Sequence, residues 1–75
     1  MNTVVIKLKE IKDVYDFVAV VTAYPGELDI VSGRYRVNAK SVMGIFALDL
    51  TKPLNLEIFG DDTVEIEEKL KPYII

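Results

Sequence analysis

The hydrophobic and polar positions alternate in four segments of the chain, which is the period-two pattern of a half-buried strand. Ser32-Gly33, between the second and the third segment, predicts a tight hairpin turn because glycine tolerates positive φ. One apolar and one polar face on each strand indicate a sheet that is covered on one side only. We predict strands at Thr3–Glu10, Glu27–Val31 and Arg34–Asn38, and a fourth strand that starts at Leu54 and ends at Gly60-Asp61.

A helical period separates the first two strands. From Val14 to Val21 the apolar residues recur at i, i+3, i+4 and i+7, which predicts an amphipathic helix. We expect Asp13 to cap this helix and Tyr24 to lie near its end. Its valines lower helix propensity, so a strand is the alternative for this segment.

Ser41 marks a second change of period, because the strand pattern stops there and apolar residues at helical spacing follow. A serine in this place can accept a hydrogen bond from a backbone amide of the first turn, so we predict that Ser41 is the N-cap of a central helix. We expect Asp49 to close this short helix.

The end of the chain predicts a last helix, which Asp62 or Thr63 would cap and Pro72 would end. Ile66 and Leu70, four residues apart, would be its buried contacts. The element order is then β-α-β-β-α-β-α. Half-buried strands and amphipathic helices in this order predict an α+β fold, an open-faced β-sandwich in which a four-stranded antiparallel sheet carries the helices on one face.

The composition fits one small domain that includes residues 1–75, since 51% of the residues are hydrophobic and can fill a core. The chain contains no cysteine and no histidine. It therefore lacks thiolate metal ligands, the usual acid–base group at neutral pH and any phosphohistidine chemistry. We predict no cofactor, no metal site and no enzymatic activity, because too few polar groups converge for catalysis.

The charge and hydropathy of the chain narrow the choice of partners. A net charge of −3 disfavours nucleic acid, whose phosphates need a dense basic face. No apolar run approaches the roughly 20 residues of a membrane span, and M-N-T-V-V-I-K lacks the charged start and long apolar core of a signal peptide. We expect a cytoplasmic protein without a nucleic-acid or membrane partner.

The residues around Ser41 carry a family resemblance. The stretch N-A-K-S-V-M-G, followed by an apolar turn and L-x-L-T, resembles the serine-bearing motif of HPr, the small phosphocarrier of the bacterial sugar phosphotransferase system. The resemblance implies an open-faced sandwich of four antiparallel strands and three helices. That architecture agrees with the element order predicted from the periodicity.

The second HPr signature is absent from the chain. In HPr the phosphorylated histidine lies in a G-L-H-x-R-P segment at the start of the first helix. Aligned without gaps from Ser41, the histidine position falls at Glu10, the arginine position at Lys12 and the proline position at Asp13. A glutamate is a poor phosphoryl carrier, because an acyl phosphate must be protected from water. The resemblance thus implies a degenerate phosphohistidine site without histidine phosphotransfer.

The HPr resemblance also implies candidate regulatory and binding residues. The serine that matches Ser41 is the target of a regulatory kinase in Gram-positive relatives, and catabolite-repression HPr works through this serine alone. Ser41 is therefore a candidate phosphorylation site, and the alternative is that it is only an N-cap. The matching helix of HPr offers an apolar patch to enzymes and transcriptional regulators. Candidate partner-binding residues are Lys40, Val42, Met43 and Phe46, of which we expect Met43 to be the most exposed.

Taken together, the sequence predicts a non-catalytic, HPr-like regulatory or protein-binding domain. Its partner would be a protein, such as a serine kinase or a transcriptional regulator. The alternative is a divergent structural or self-associating domain on the same scaffold, for example a homodimer, with no role in the phosphotransferase system.

Overall fold

Strands and helices follow one another in the order that the periodicity predicts. The structure is a computed structural model that describes residues 1–75. None of its helices has the length and apolar character that crossing a bilayer requires. The elements are β1 Asn2–Ile6, α1 Ile11–Thr22, β2 Leu28–Ser32, β3 Tyr35–Asn38, α2 Val42–Phe46, β4 Leu54–Ile58, α3 Val64–Lys69 and a 3₁₀ turn at Lys71–Tyr73.

The strands form one antiparallel sheet in the order β1-β4-β2-β3, so β1 and β3 are its edges. The register aligns Val4, Leu56, Ile30 and Val37 in one row across all of the strands. Because side chains alternate between the faces of a strand, this row and its neighbours turn the apolar residues to one side. The predicted α+β fold with a four-stranded antiparallel sheet is confirmed.

The core lies between the inner face of the sheet and the helices. It contains a cluster of 15 buried apolar residues, with the fully buried ring of Phe17 of α1 among them. The opposite face of the sheet is mostly polar, with Val5 and Val31 as its apolar residues. There Arg36 pairs with both Asp29 (3.0 Å) and Glu57 (2.6 Å), two carboxylates that stand directly opposite each other on β2 and β4.

The largest difference from the prediction is at the junction between β1 and α1. The strand ends at Ile6 rather than at Glu10, and the helix begins at Ile11, so Asp13 is not its N-cap. Asp13 lies in the first turn instead, where its carboxylate accepts hydrogen bonds from the N–H groups of Lys9 (2.9 Å) and Glu10 (3.0 Å). Because this carboxylate accepts the two backbone amides that precede the helix, the helix starts at Ile11 and not after Asp13 as predicted.

The other boundaries shift by smaller amounts. The valine-rich segment is a helix and not the alternative strand, and it ends at Thr22. The central helix α2 ends at Phe46 rather than at Asp49, because the following amides bond three residues back and tighten the chain into a turn. The last helix ends at Lys69, and Pro72 lies inside the 3₁₀ turn that follows it.

Thr63 has a different role from the predicted cap. It occupies the N-cap position of α3, but its hydroxyl donates to the Glu67 carboxylate (2.5 Å), and the Asp62 carboxylate accepts the Val64 N–H instead (3.2 Å). The Asn2 amide donates to the Thr63 hydroxyl (2.7 Å) and to Glu67 (2.8 Å). This network joins the start of β1 to α3. Its hydrogen bonds, from Thr63 first and then from Asn2, lower the pKa of Glu67.

We expect this network to make the stability depend on pH. A carboxyl group whose pKa is lower in the folded state stabilises the fold above its unfolded pKa, near 4.3 for glutamate, and this contribution is lost as the pH falls through the folded pKa. Below about pH 4.3, the free energy of unfolding should therefore fall more steeply for the wild type than for Glu67→Gln. Urea unfolding at a series of pH values measures this. Thr63→Val removes the hydroxyl that donates to Glu67, so it should also make the fall in unfolding free energy at low pH less steep. Parallel pH profiles of the wild type and Glu67→Gln would contradict the lowered pKa of Glu67.

Candidate functional site

A turn of three residues, 39–41, connects β3 to α2 and fixes the position of Ser41. The Ala39 N–H donates to the Leu28 carbonyl (2.9 Å), which anchors the turn to β2. The side-chain oxygen of Asn38 accepts the Lys40 N–H (2.8 Å), and the backbone carbonyl of Asn38 accepts the Ser41 N–H (3.0 Å). Each amide of the turn thus has a partner, so the start of α2 is held firmly against the sheet.

Ser41 opens α2 as predicted. Its side-chain oxygen accepts the Gly44 N–H (3.1 Å), and its backbone carbonyl accepts the Ile45 N–H (3.1 Å). The glycine permits this geometry, because a Cβ at position 44 would lie 3.2 Å from the Ser41 Oγ and 3.3 Å from the Val37 Cβ. The hydroxyl is therefore a half-buried cap in a tightly packed corner between α2 and β3.

Lys40 precedes Ser41, but its ammonium group extends elsewhere. The Nζ atom donates to the Tyr24 carbonyl (2.7 Å), two residues beyond the end of α1. The carbonyl end of a helix carries a partial negative charge, and α1 has no basic residue in its last turn. Lys40 thus stabilises the end of α1, and its role in partner binding stays a prediction.

The other candidate residues of α2 face in different directions. Met43 has 85% of its surface exposed and Phe46 has 39%, whereas Val42 is half-buried and packs against the core. The expectation that Met43 is the most exposed residue of this helix is confirmed. Two of the three apolar candidates are therefore available on the surface.

Helix α1 adds two apolar side chains to this surface. The ring of Tyr15 meets the ring of Phe46 edge to face, with centroids 5.9 Å apart. Ile11 lies one helical turn before Tyr15, and the exposed fractions of these two residues are 69% and 56%. We name Ile11, Tyr15, Met43 and Phe46 the apolar patch.

The sequence contained a signal for the α1 part of the apolar patch. Ile11 and Tyr15 are spaced i, i+4 and lie beside the core stripe of Val14, Phe17 and Val21 rather than on it. The predicted helix began after Asp13, so Ile11 fell outside it and the pair was missed. Only the correct helix start makes a second apolar stripe visible.

The structure brings the degenerate phosphohistidine residues together at the start of α1. Glu10 is the exposed N-cap residue, and the Asp13 carboxylate occupies the amides of Lys9 and Glu10. The Lys12 ammonium donates a hydrogen bond to the Asp16 carboxylate (2.5 Å), and this bond raises the pKa of Lys12. The chain's own carboxylates thus engage the Lys12 ammonium and the amides of Lys9 and Glu10.

Comparison with solved structures identifies the architecture. HPr-C-His from Thermoanaerobacter tengcongensis superposes with a TM-score of 0.81 and 26% sequence identity, over 96% of this chain and 89% of that chain. The phosphocarrier protein HPr from Bacillus anthracis str. Ames gives a TM-score of 0.75 and 22% identity, over 99% and 96% of the two chains. The chain has the HPr-like fold. No protein-family model and no curated protein matches the sequence.

The predicted resemblance is thereby confirmed at the level of the fold. On this HPr-like fold, the two segments that the resemblance singled out are the starts of α1 and α2. The contact between Tyr15 and Phe46 joins these two helices. The apolar patch therefore spans both helices.

We expect Ser41→Ala to lower the free energy of unfolding by about 1 kcal/mol, because the Gly44 N–H loses its acceptor. Ser41→Asp should lose less, since a carboxylate at the N-cap position also accepts this hydrogen bond. Urea unfolding of the two variants measures the difference. Equal stability of Ser41→Ala and the wild type would show that the cap contributes nothing.

Proposed function

We propose that this chain is a non-catalytic, HPr-like domain that acts by docking to a protein partner and takes no part in histidine phosphotransfer. The absence of histidine from all 75 residues supports the second half of the proposal. The arrangement at the start of α1 adds to it. Glu10 stands at the carrier position, and the neighbouring cation and amides are engaged by Asp16 and Asp13.

The apolar patch is the observation that carries the docking half of the proposal. Tyr15 and Phe46 contact each other across two helices, whereas a single exposed apolar residue on a protein surface needs no explanation. Burying an exposed side chain of this size contributes about 1.5–3 kcal/mol. A cluster that combines two aromatic rings with two aliphatic side chains has the composition of a binding hot spot.

The chemistry around the patch favours an apolar partner surface. Lys12 is paired with Asp16 and Lys40 is engaged by the Tyr24 carbonyl, so the neighbouring cations are already compensated. Docking energy would then come from apolar burial rather than from ion pairs. Met43 suits this role, because its unbranched thioether side chain can adapt to the shape of a partner.

Site-specific photocrosslinking in the native cell tests the docking half. A photoreactive side chain at Met43 or at Ile11 should capture the same protein, because both positions belong to the patch. Val64 is the matched control, since it is an exposed apolar residue (74%) on α3 and outside the patch. It should not capture that protein.

Three results distinguish the possibilities. One protein captured from both patch positions and not from Val64 supports docking to a separate partner. If the captured protein is a second copy of this chain, the patch serves self-association and not docking to a separate partner. Equal, diffuse labelling at all of the positions removes the docking function.

We further propose that phosphorylation of Ser41 regulates the docking. A phosphate brings about −1.5 to −2 charges at neutral pH, and first-turn amides such as the Gly44 N–H favour an anion at this place. Ser41 lies two residues before Met43. The modification would therefore place a strong negative charge beside an uncharged docking surface, where it would change the preferred partner.

Incubation with an HPr kinase and ATP, followed by mass spectrometry, tests this regulation. We expect one phosphate on Ser41 in the wild type and none in Ser41→Ala under conditions that modify HPr. An unmodified wild-type chain in the same reaction would remove the regulatory half and leave the docking half standing.

A further inference from the structure

The last residues of the chain run along the outer edge of β1. The Lys7 N–H donates to the Tyr73 carbonyl (2.8 Å), and the Ile75 N–H donates to the Val5 carbonyl (3.0 Å). We name Tyr73–Ile75 the edge strap. It adds a short antiparallel row to the sheet on the side of β1 that faces away from β4.

The edge strap is anchored unevenly. Tyr73 packs its ring edge to face on Phe17, with centroids 5.7 Å apart, and Ile74 forms a bridge with Ile6. The side chain of Ile75 is 67% exposed. The first two residues of the strap are therefore fixed by the core, whereas backbone hydrogen bonding holds the last one.

The two edges of the sheet differ in their protection. At β3, Arg34 and Arg36 place charges at a strand of 4 residues, and charged, short edges resist pairing with other chains. The sequence of β1, N-T-V-V-I, has no charge, no proline and no glycine. It has the composition that promotes strand pairing, and it is the edge that the strap covers.

The strap covers only part of this edge. Backbone groups of alternate residues point to the same side of a strand. The N–H and C=O of Thr3 and the N–H of Val5 therefore lie on the same edge as the Val5 carbonyl, beyond the last hydrogen bond of the strap. An incoming strand could form hydrogen bonds with these groups, which lie next to the Val5 carbonyl that accepts the Ile75 N–H. Release of Ile75 would extend the free edge to the Val5 carbonyl.

We propose that the edge strap is a releasable cover, and that β1 pairs antiparallel with β1 of a second copy once the strap is released. Two β1 strands related by a two-fold axis present the same groups to each other and join two sheets into one. This inference is independent of the proposed docking function, because it concerns the edge of the sheet and not the apolar patch on the helices.

The variant Ile75→Pro tests the cover. Proline has no N–H, so the Val5 carbonyl loses its partner, while the contact of Tyr73 with Phe17 is retained. Ile75→Ala is the matched control, since it shortens the side chain and keeps the N–H. In sedimentation equilibrium we expect the wild type and Ile75→Ala to remain at 8.5 kDa. Ile75→Pro should move toward twice this mass as the concentration rises.

A second variant identifies the surface that pairs. Val5 is 39% exposed on the outer face of β1, and a lysine there disfavours edge pairing. We expect Ile75→Pro with Val5→Lys to return to the monomer mass. A monomeric Ile75→Pro would overturn the proposal, as would a wild type that associates equally. Unchanged association of the double variant would overturn it too, because another surface would then be responsible.

Discussion

The contact between the apolar face of the sheet and the helices is the interaction on which the rest of the structure depends. A chain of 75 residues has room for one such layer, and 15 buried side chains fill it. The row from Val4 to Val37 fixes the strand register, and α1 lies over it with Phe17 inside. Shifting a strand by one residue would turn its apolar side chains to the solvent, so register and core specify each other.

Because the core is this small, large apolar residues that lie outside it point to a binding surface. Ile11 and Met43 are largely exposed although each is large enough to serve in the core. Their helices place them on a surface next to the start of α1, where Asp13 accepts the amides of Lys9 and Glu10 and Asp16 pairs with Lys12. On this HPr-like fold, we propose that a surface suited to docking takes the place of a site suited to phosphoryl transfer.

The sequence predicted the fold well because its strands alternate and its helices carry clear stripes. Ser41 was recognised as a helix start for a physical reason, since a hydroxyl at a change of period can satisfy a free amide. The start of α1 was placed wrongly because Asp13 acts from inside the helix. That error hid Ile11, and with it half of the apolar patch. The hydrogen bond from Lys40 to Tyr24 and the edge strap join residues distant in sequence, which periodicity cannot reveal.

We propose that Ile11 and Met43 are on the surface for binding and not for folding. The most direct test is the free energy of unfolding of the double variant Ile11→Ser, Met43→Ser, with Phe17→Ala as the core control. We expect a loss of no more than about 0.5 kcal/mol for the double variant and about 3–5 kcal/mol for the control. A loss of about 2 kcal/mol or more in the double variant would show that these side chains serve the core and not a binding surface.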